Sequence, residues 1–185
     1  MTKFSVIYAD PPWDYAGQTQ HTDGEFKEGK SAIDHYPTMT LDKLKALKVP
    51  DICESNAVLF LWTSSPHLPQ ALELMSAWGF NYSTIAFVWY KEKTNPGYYT
   101  LSECEICIVG KKGSIPKPRG SRKERQFLSE MRGKHSEKPE EIRRRIEKMF
   151  PEQKKVELFS RKTSDGWAVW GNEVTSTVEL GTSPT

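Results

Sequence analysis

The sequence predicts an α/β protein, a sheet with helices on both faces, and three observations carry that prediction. Strand-length segments stand at Phe4 to Ala9, Ala57 to Trp62 and Lys155 to Phe159, and the continuous apolar run of Ala57 to Trp62, bounded by turn residues, is that of a strand covered on both sides. Segments with helical apolar spacing stand between the runs. The length, 185 residues, fits a single domain large enough to close its own core.

In chain order, Phe4 to Ala9 is the first strand, and Pro11 and Pro12 end it because neither can donate to a ladder. Residues 14–35 are polar, aperiodic and dotted with Gly17, Gly24 and Gly29, the composition of a long mobile loop. Thr40 caps a short helix carrying Leu41, Leu44 and Leu47, which stops before Pro50. Ala57 to Trp62 is a buried strand, and Leu68, Ala71, Leu72, Met75 and Trp78 mark a helix that Gly79 terminates. Thr84 to Tyr90 and Glu103 to Val109 read as strands joined through a turn at Asn95-Pro96-Gly97. Pro139 opens a helix whose face is Ile142, Ile146, Met149 and Phe150, with Glu140 and Glu141 at its positive end. Lys155 to Phe159 is a last strand, followed by a short docked element at Trp167, Val169 and Trp170. One catalytic domain is therefore expected over residues 1–174, with mobile loops at about 14–35 and 111–136 and a disordered tail over 175–185.

Composition removes several function classes. No apolar run approaches the ~18 residues that a membrane span needs. The N-terminus runs straight into a strand with no apolar signal core, so the cytoplasm is expected. Three cysteines form no disulfide framework, and Cys104-Glu105-Ile106-Cys107 lies in a strand where positions three apart face opposite ways. The histidines at 21, 35, 67 and 135 lack ligand spacing, so no metal site is expected. Charge is uneven: Lys111, Lys112, Lys117, Arg119, Arg122, Lys123, Arg125, Arg132 and Lys134 face only Glu124 and Glu130, while the formal net charge of the whole chain is +2. Such a basic segment on an acidic body suits a nucleic-acid backbone, with a plain solvated loop as its competitor.

In open α/β sheets ligands bind outside the carboxyl ends of the strands, which is where Asp10-Pro11-Pro12-Trp13 falls. A carboxylate and a proline carbonyl can each accept one N–H of an exocyclic amine while an aromatic ring flanks the base. Holding both hydrogens leaves the nitrogen lone pair free to attack.

Tyr8-Ala9-Asp10-Pro11-Pro12-Trp13, Tyr36-Pro37-Thr38-Met39, Lys138-Pro139, Glu157-Leu158-Phe159-Ser160-Arg161 and Trp170-Gly171-Asn172-Glu173 together resemble the MT-A70 family of S-adenosylmethionine-dependent adenine methyltransferases. The resemblance runs from about Val6 to Glu173 and implies a Rossmann-like methyltransferase sheet, in the permuted order that puts the amine-binding motif before the cofactor-binding motif. It implies methyl transfer from S-adenosylmethionine to the 6-amino group of adenine in nucleic acid, DNA ahead of RNA, by a monomer or homodimer. It further implies that Asp10 and the Pro11 carbonyl bind the amine, with Pro12 rigidifying the turn, Trp13 flanking the base and Tyr36 walling the site. Lys138 would pair with the cofactor carboxylate. Asp10, Phe159, Arg161, Asn172 and Glu173 would complete the cofactor side, with side chains replacing the Gly-rich loop of other methyltransferases. Lys111, Lys112, Lys117, Arg119, Arg122, Lys123 and Arg125 are the expected nucleic-acid contacts. The rival readings are an RNA methyltransferase, a catalytically silent nucleic-acid-binding subunit of the same fold, and methylation of a small-molecule or protein amine.

Overall fold

The computed structural model describes residues 2–14, 38–97, 99–133 and 137–181. Seven strands form one sheet in the order β5-β3-β4-β2-β1-β6-β7. They are β1 (Phe4–Ala9), β2 (Cys53–Thr63), β3 (Asn81–Asn95), β4 (Ser102–Lys112), β5 (Phe127–Ser129), β6 (Lys155–Leu158) and β7 (Trp167–Trp170). At its centre β1 runs parallel to β2 and β6, with Ala9 opposite Leu61 and Leu158. β7 is parallel to β6, while β4 is antiparallel to both β2 and β3. The central parallel pairs, β1 with β2 and β1 with β6, require crossovers, and those connections carry helices. α1 (Leu41–Ala46) lies between β1 and β2, α2 (Leu68–Ala77) follows β2, and α3 (Glu140–Met149) precedes β6.

Alternation along β1 divides the core. Ile7 and Ala9 join Leu59, Leu61, Ile108 and Val156 in packing against Leu44 of α1 and Leu74 and Met75 of α2. Val6 and Tyr8 join Val58, Phe60, Trp62 and Trp89 on the opposite face, against Ile142 and Ile146 of α3. Helices thus cover both faces, as expected. Buried tryptophans tie these layers together through their N–H groups: Trp62 donates to the Tyr8 hydroxyl at 2.7 Å and Trp78 to the Leu44 carbonyl at 3.0 Å. α1 is capped by the Thr40 hydroxyl, which accepts from the Lys43 N–H. α2 ends where Gly79 takes φ 81°, a conformation that favours glycine and lets the Phe80 N–H return to the Met75 carbonyl. Among the described residues no helix is long and apolar enough to cross a membrane.

The structure differs from the sequence reading in five respects. Leu72 is exposed on the outer side of α2 instead of joining its buried stripe. Both middle strands are longer than expected, and β5 was not anticipated. The segment 111–136 is not one loop: β4 continues through Lys112, and β5 pairs in parallel with β3. The tail expected to be disordered from residue 175 packs as far as 181. Thr177 donates to the Val169 carbonyl at 2.8 Å, Leu180 is buried, and the Gly181 carbonyl accepts from Lys48, because Val178 and Leu180 find apolar cover on the core. Residues 15–37, most of the first expected loop, and 182–185 lie outside the described residues.

Candidate active site

β1 delivers Asp10 to the carboxyl edge of the sheet, and the two prolines turn the chain away from it. The Pro11 carbonyl accepts from the Trp13 N–H at 2.9 Å, and the Pro12 carbonyl accepts from Met39 at 2.9 Å. A carbonyl has two lone pairs, so Pro11 keeps one for another donor. Lys138 arrives from the residue before Pro139, the N-cap of α3, and its Nζ lies 2.8 Å from Asp10 Oδ2 and 3.1 Å from Glu105 Oε2. Glu105, on β4, also sits 3.4 Å from Lys91 Nζ on β3. The ammonium of Lys138 is 5.6 Å from the centroid of the Trp62 ring. The corner therefore alternates in charge: Lys91, Glu105, Lys138, Asp10.

Burial raises the Asp10 carboxyl above its ordinary range, and Lys138 only partly reverses this. For Lys138, burial opposes the charge, but Asp10 and then Glu105 outweigh it and hold the ammonium protonated above the usual lysine range. Glu105 stays ionised below its ordinary value, because Lys138 and Lys91 overcome the effect of burial. Two carboxylates around one ammonium make a site that is charged, partly desolvated and suited to an exchange of anionic or amine partners.

Trp13 occupies a different place from the one expected. It is buried, donates Nε1–H to the Trp62 carbonyl at 3.2 Å, and lies face to face with the His67 ring at 5.8 Å between centroids. Its ring is therefore packed against β2 and the turn that follows it, with one face covered by His67. Tyr36 lies outside the described residues.

The ends of β6 and β7 build the other half. Phe159 takes φ 62° directly after β6 and meets Trp170 edge to face at 5.3 Å. The Ser160 N–H donates to the Trp170 carbonyl at 3.0 Å, so the two strand ends are clasped. A Cβ on Gly171 would collide with the Ser160 carbonyl oxygen, which explains glycine there. Arg161 and Glu173 approach to 3.8 Å, with Asn172 exposed between the strand end and Glu173. The structure thus gathers Asp10, Lys138, Phe159, Arg161, Asn172 and Glu173 along one edge. Glu157, by contrast, is a structural partner: its Oε2 accepts from Arg143 at 2.9 Å.

The first part of the basic segment, through Arg122, is not brought to this edge. Lys111 and Lys112 pair with Val58 and Ala57, toward the amino end of β1, about 13 to 16 Å from the level of Asp10 at ~3.3 Å per residue. Lys117, Arg119 and Arg122 line a cavity of about 350 Å³ beside the C-terminal end of α3, together with Ile115, Glu124 and Met149. There the Gly120 and Ser121 N–H groups donate to the Met149 and Lys148 carbonyls, and the Arg119 guanidinium stands 4.8 Å over the Phe150 ring. Lys123 and Arg125 follow on the way to β5. The sequence reading missed Glu105, Lys91 and Trp62. A glutamate set among apolar residues near the end of a covered strand was the available signal for Glu105. No group of three or more His, Cys, Asp or Glu side chains able to hold a metal occurs among the described residues.

The MT-A70 family model matches residues 4–173, a span that contains every element of this corner. The chain belongs to the MT-A70 family. Similar proteins include the Type II methyltransferase M.MunI of Mycoplasma sp, 47% identical over 93% of this chain and 78% of its own length. They also include the human N(6)-adenosine-methyltransferase catalytic subunit METTL3, 28% identical over 93% of this chain, and the Arabidopsis thaliana N(6)-adenosine-methyltransferase MT-A70-like protein, 26% identical over 92% of it. The chain spans 28% and 24% of the lengths of those two. This MT-A70 protein is thus a methyltransferase whose family acts on N6 of adenine. The donor set at the sheet edge fits a cofactor with one carboxylate and one ribose. Lys138 has three N–H donors and two present partners, and Arg161, Asn172 and Glu173 offer both donors and acceptors at the clasped strand ends.

Proposed function

We propose that this protein methylates the 6-amino group of adenine in DNA, using S-adenosylmethionine. The observation that carries the proposal is the placement of Asp10 at the carboxyl end of β1, against Lys138 and beside the β6 and β7 ends. Asp10 Oδ1 and the remaining lone pair of the Pro11 carbonyl accept the two N–H groups of the adenine amine. That grip turns the nitrogen lone pair outward. Lys138 holds the methionyl carboxylate, and Arg161, Asn172 and Glu173 hold the ribose, with Phe159 covering the strand end. S-adenosylmethionine, when bound, supplies a methyl group on a positively charged sulfur. The transfer breaks a carbon–sulfur bond and forms a carbon–nitrogen bond, and charge is dispersed, so little base assistance is needed beforehand. Orientation supplies most of the acceleration; pre-positioning can account for ~7 to 11 kcal/mol. The proton surplus on the methylated nitrogen leaves through the Asp10 carboxylate or water.

DNA is favoured because the bacterial Type II methyltransferase is matched over 78% of its length, against about a quarter for the eukaryotic N(6)-adenosine-methyltransferases. In duplex DNA the adenine must leave the stack, at a cost of a few kcal/mol. The basic surface at the far end of the sheet contributes phosphate contacts without touching the reacting atoms. The test is transfer of an isotopically labelled methyl group to DNA and RNA oligonucleotides followed by nucleoside digestion. N6-methylated adenine in the DNA digest is expected; label in RNA alone would reassign the substrate, and label in neither would remove nucleic acid from consideration.

A further inference from the structure

Among the described residues, the three large hydrophobic side chains with the greatest exposure are Tyr99 at 100%, Met131 at 71% and Leu101 at 62%. Tyr99 and Leu101 lie in the turn of the β3–β4 hairpin, and Met131 follows β5 along the flank of β3. From Glu105 in the charged corner to Ser102 at the last pair of the hairpin is about 10 Å at ~3.3 Å per residue. The arm is fixed at its base. Trp89 donates to the Glu130 carbonyl at 2.7 Å, the Glu130 N–H donates to the Tyr90 carbonyl at 3.2 Å, and the Ser129 hydroxyl donates to Glu92 at 2.6 Å. Those bonds set Met131 beside the hairpin. Between Tyr90 and Asn95 the register breaks, so that four residues of β3 face one of β4, and Glu92 takes φ 55° there. Such a bulge re-aims a strand end, and bulges recur beside active sites.

Apolar surface concentrated on an anchored projection calls for a partner. Residues 92–103 carry Lys93 as their only cation against Glu92 and Glu103, so attraction to phosphates does not account for the arm. Base faces remain, and aromatic and aliphatic side chains enter them as stacking surfaces and wedges. We propose that Tyr99 and Leu101, flanked by Met131, enter the nucleic acid beside the target adenine and fill the stack that the base vacates. This rests on the DNA-methylation reading. It assigns the energetic support for base extrusion to an apolar arm on the same edge as Asp10, not to the basic surface.

The test uses the full chain, a Tyr99→Ala/Leu101→Ala double variant and a Tyr99→Phe variant. Two duplexes carry an adenine that the wild type methylates, one fully paired and one with an abasic site opposite that adenine. On the paired duplex the double variant should lose about tenfold or more in kcat/KM, the scale of one lost stacked base. The abasic duplex, whose adenine has no partner to leave, should restore most of that loss, and Tyr99→Phe should behave as wild type. Equal rates on the paired duplex, or equal losses on both duplexes, would overturn the proposal. So would a changed oligomeric state with unaltered rates, which would give the arm to a second copy of the chain. Fluorescence anisotropy on a labelled duplex reads the arm without turnover: weaker binding by the double variant supports it and unchanged binding overturns it. A wild type that binds duplex but transfers no methyl group to any nucleic acid would sink the functional reading instead.

Discussion

Lys138 Nζ and Asp10 Oδ2 meet at 2.8 Å although 128 residues separate them in sequence. Lys138 stands at the entry to α3 and Asp10 at the exit of β1, so this one contact joins the two halves of the family pattern. Asp10 has a second oxygen and Lys138 a third N–H, which leaves each able to take a ligand while the pair remains formed.

Replacing Lys138 tests both ends of that contact. Lys138→Met should weaken S-adenosylmethionine binding by about 10- to 100-fold, the scale of a lost hydrogen bond between charged groups. Isothermal titration calorimetry measures it, and an unchanged dissociation constant would take Lys138 out of the cofactor site.

The same variant has a pH signature. Asp10 accepts an amine N–H most strongly, and can take up the released proton, only when ionised, and burial raises its carboxyl, so activity should rise with pH along a limb above the ordinary aspartate range. Lys138 favours the ionised form, so its removal raises the carboxyl further and moves the limb to higher pH. A pH profile of kcat/KM whose acidic limb stayed in place or moved down would contradict this assignment.

Gly171→Ala places a methyl group against the Ser160 carbonyl, and the clasp between the β6 and β7 ends has to open. We expect a rise in KM for S-adenosylmethionine of about tenfold or more, as ångström-scale misplacement can cost ~10²-fold. Far-ultraviolet circular dichroism should be unaltered. Wild-type kinetics in this variant would remove the strand-end clasp from the cofactor site.

Neutralising Lys111, Lys112, Lys117, Arg119, Arg122, Lys123 and Arg125 should weaken DNA binding and flatten its salt dependence by about 0.9 in slope for each phosphate that is no longer neutralised. Because these residues lie toward the amino end of the sheet or along its far edge, kcat at saturating DNA should hold. An unchanged slope would return the segment to an ordinary solvated surface.

Much of this was legible before the fold. β1 and β2 announce themselves as apolar runs and β6 as a short strand before the Trp167 element, and Pro139 with Ile142 and Ile146 marks α3 correctly. The strand-end position of Asp10 follows from two prolines that cannot pair. β5 has three residues and leaves no periodic trace. Trp13 is expected to flank the base, and a motif does not reveal that its ring is buried; the Trp62 carbonyl and His67 that enclose it come from β2 and the turn after it. Glu105 was hidden for the same reason, since its role depends on lysines 14 residues before it and 33 after it. The basic segment read as one contact surface because charge runs are linear in sequence, whereas the chain carries this one across to α3 and back toward β3.

The most direct measurement compares wild type with Asp10→Ala, each incubated with S-adenosylmethionine and DNA, by mass spectrometry of the nucleoside digest. The wild type should produce N6-methyladenine, and the variant should produce at least ~10²-fold less while binding the same DNA with nearly unchanged affinity. Full methylation by the variant, or a methyl group on another atom of the base, would contradict the assignment of this corner.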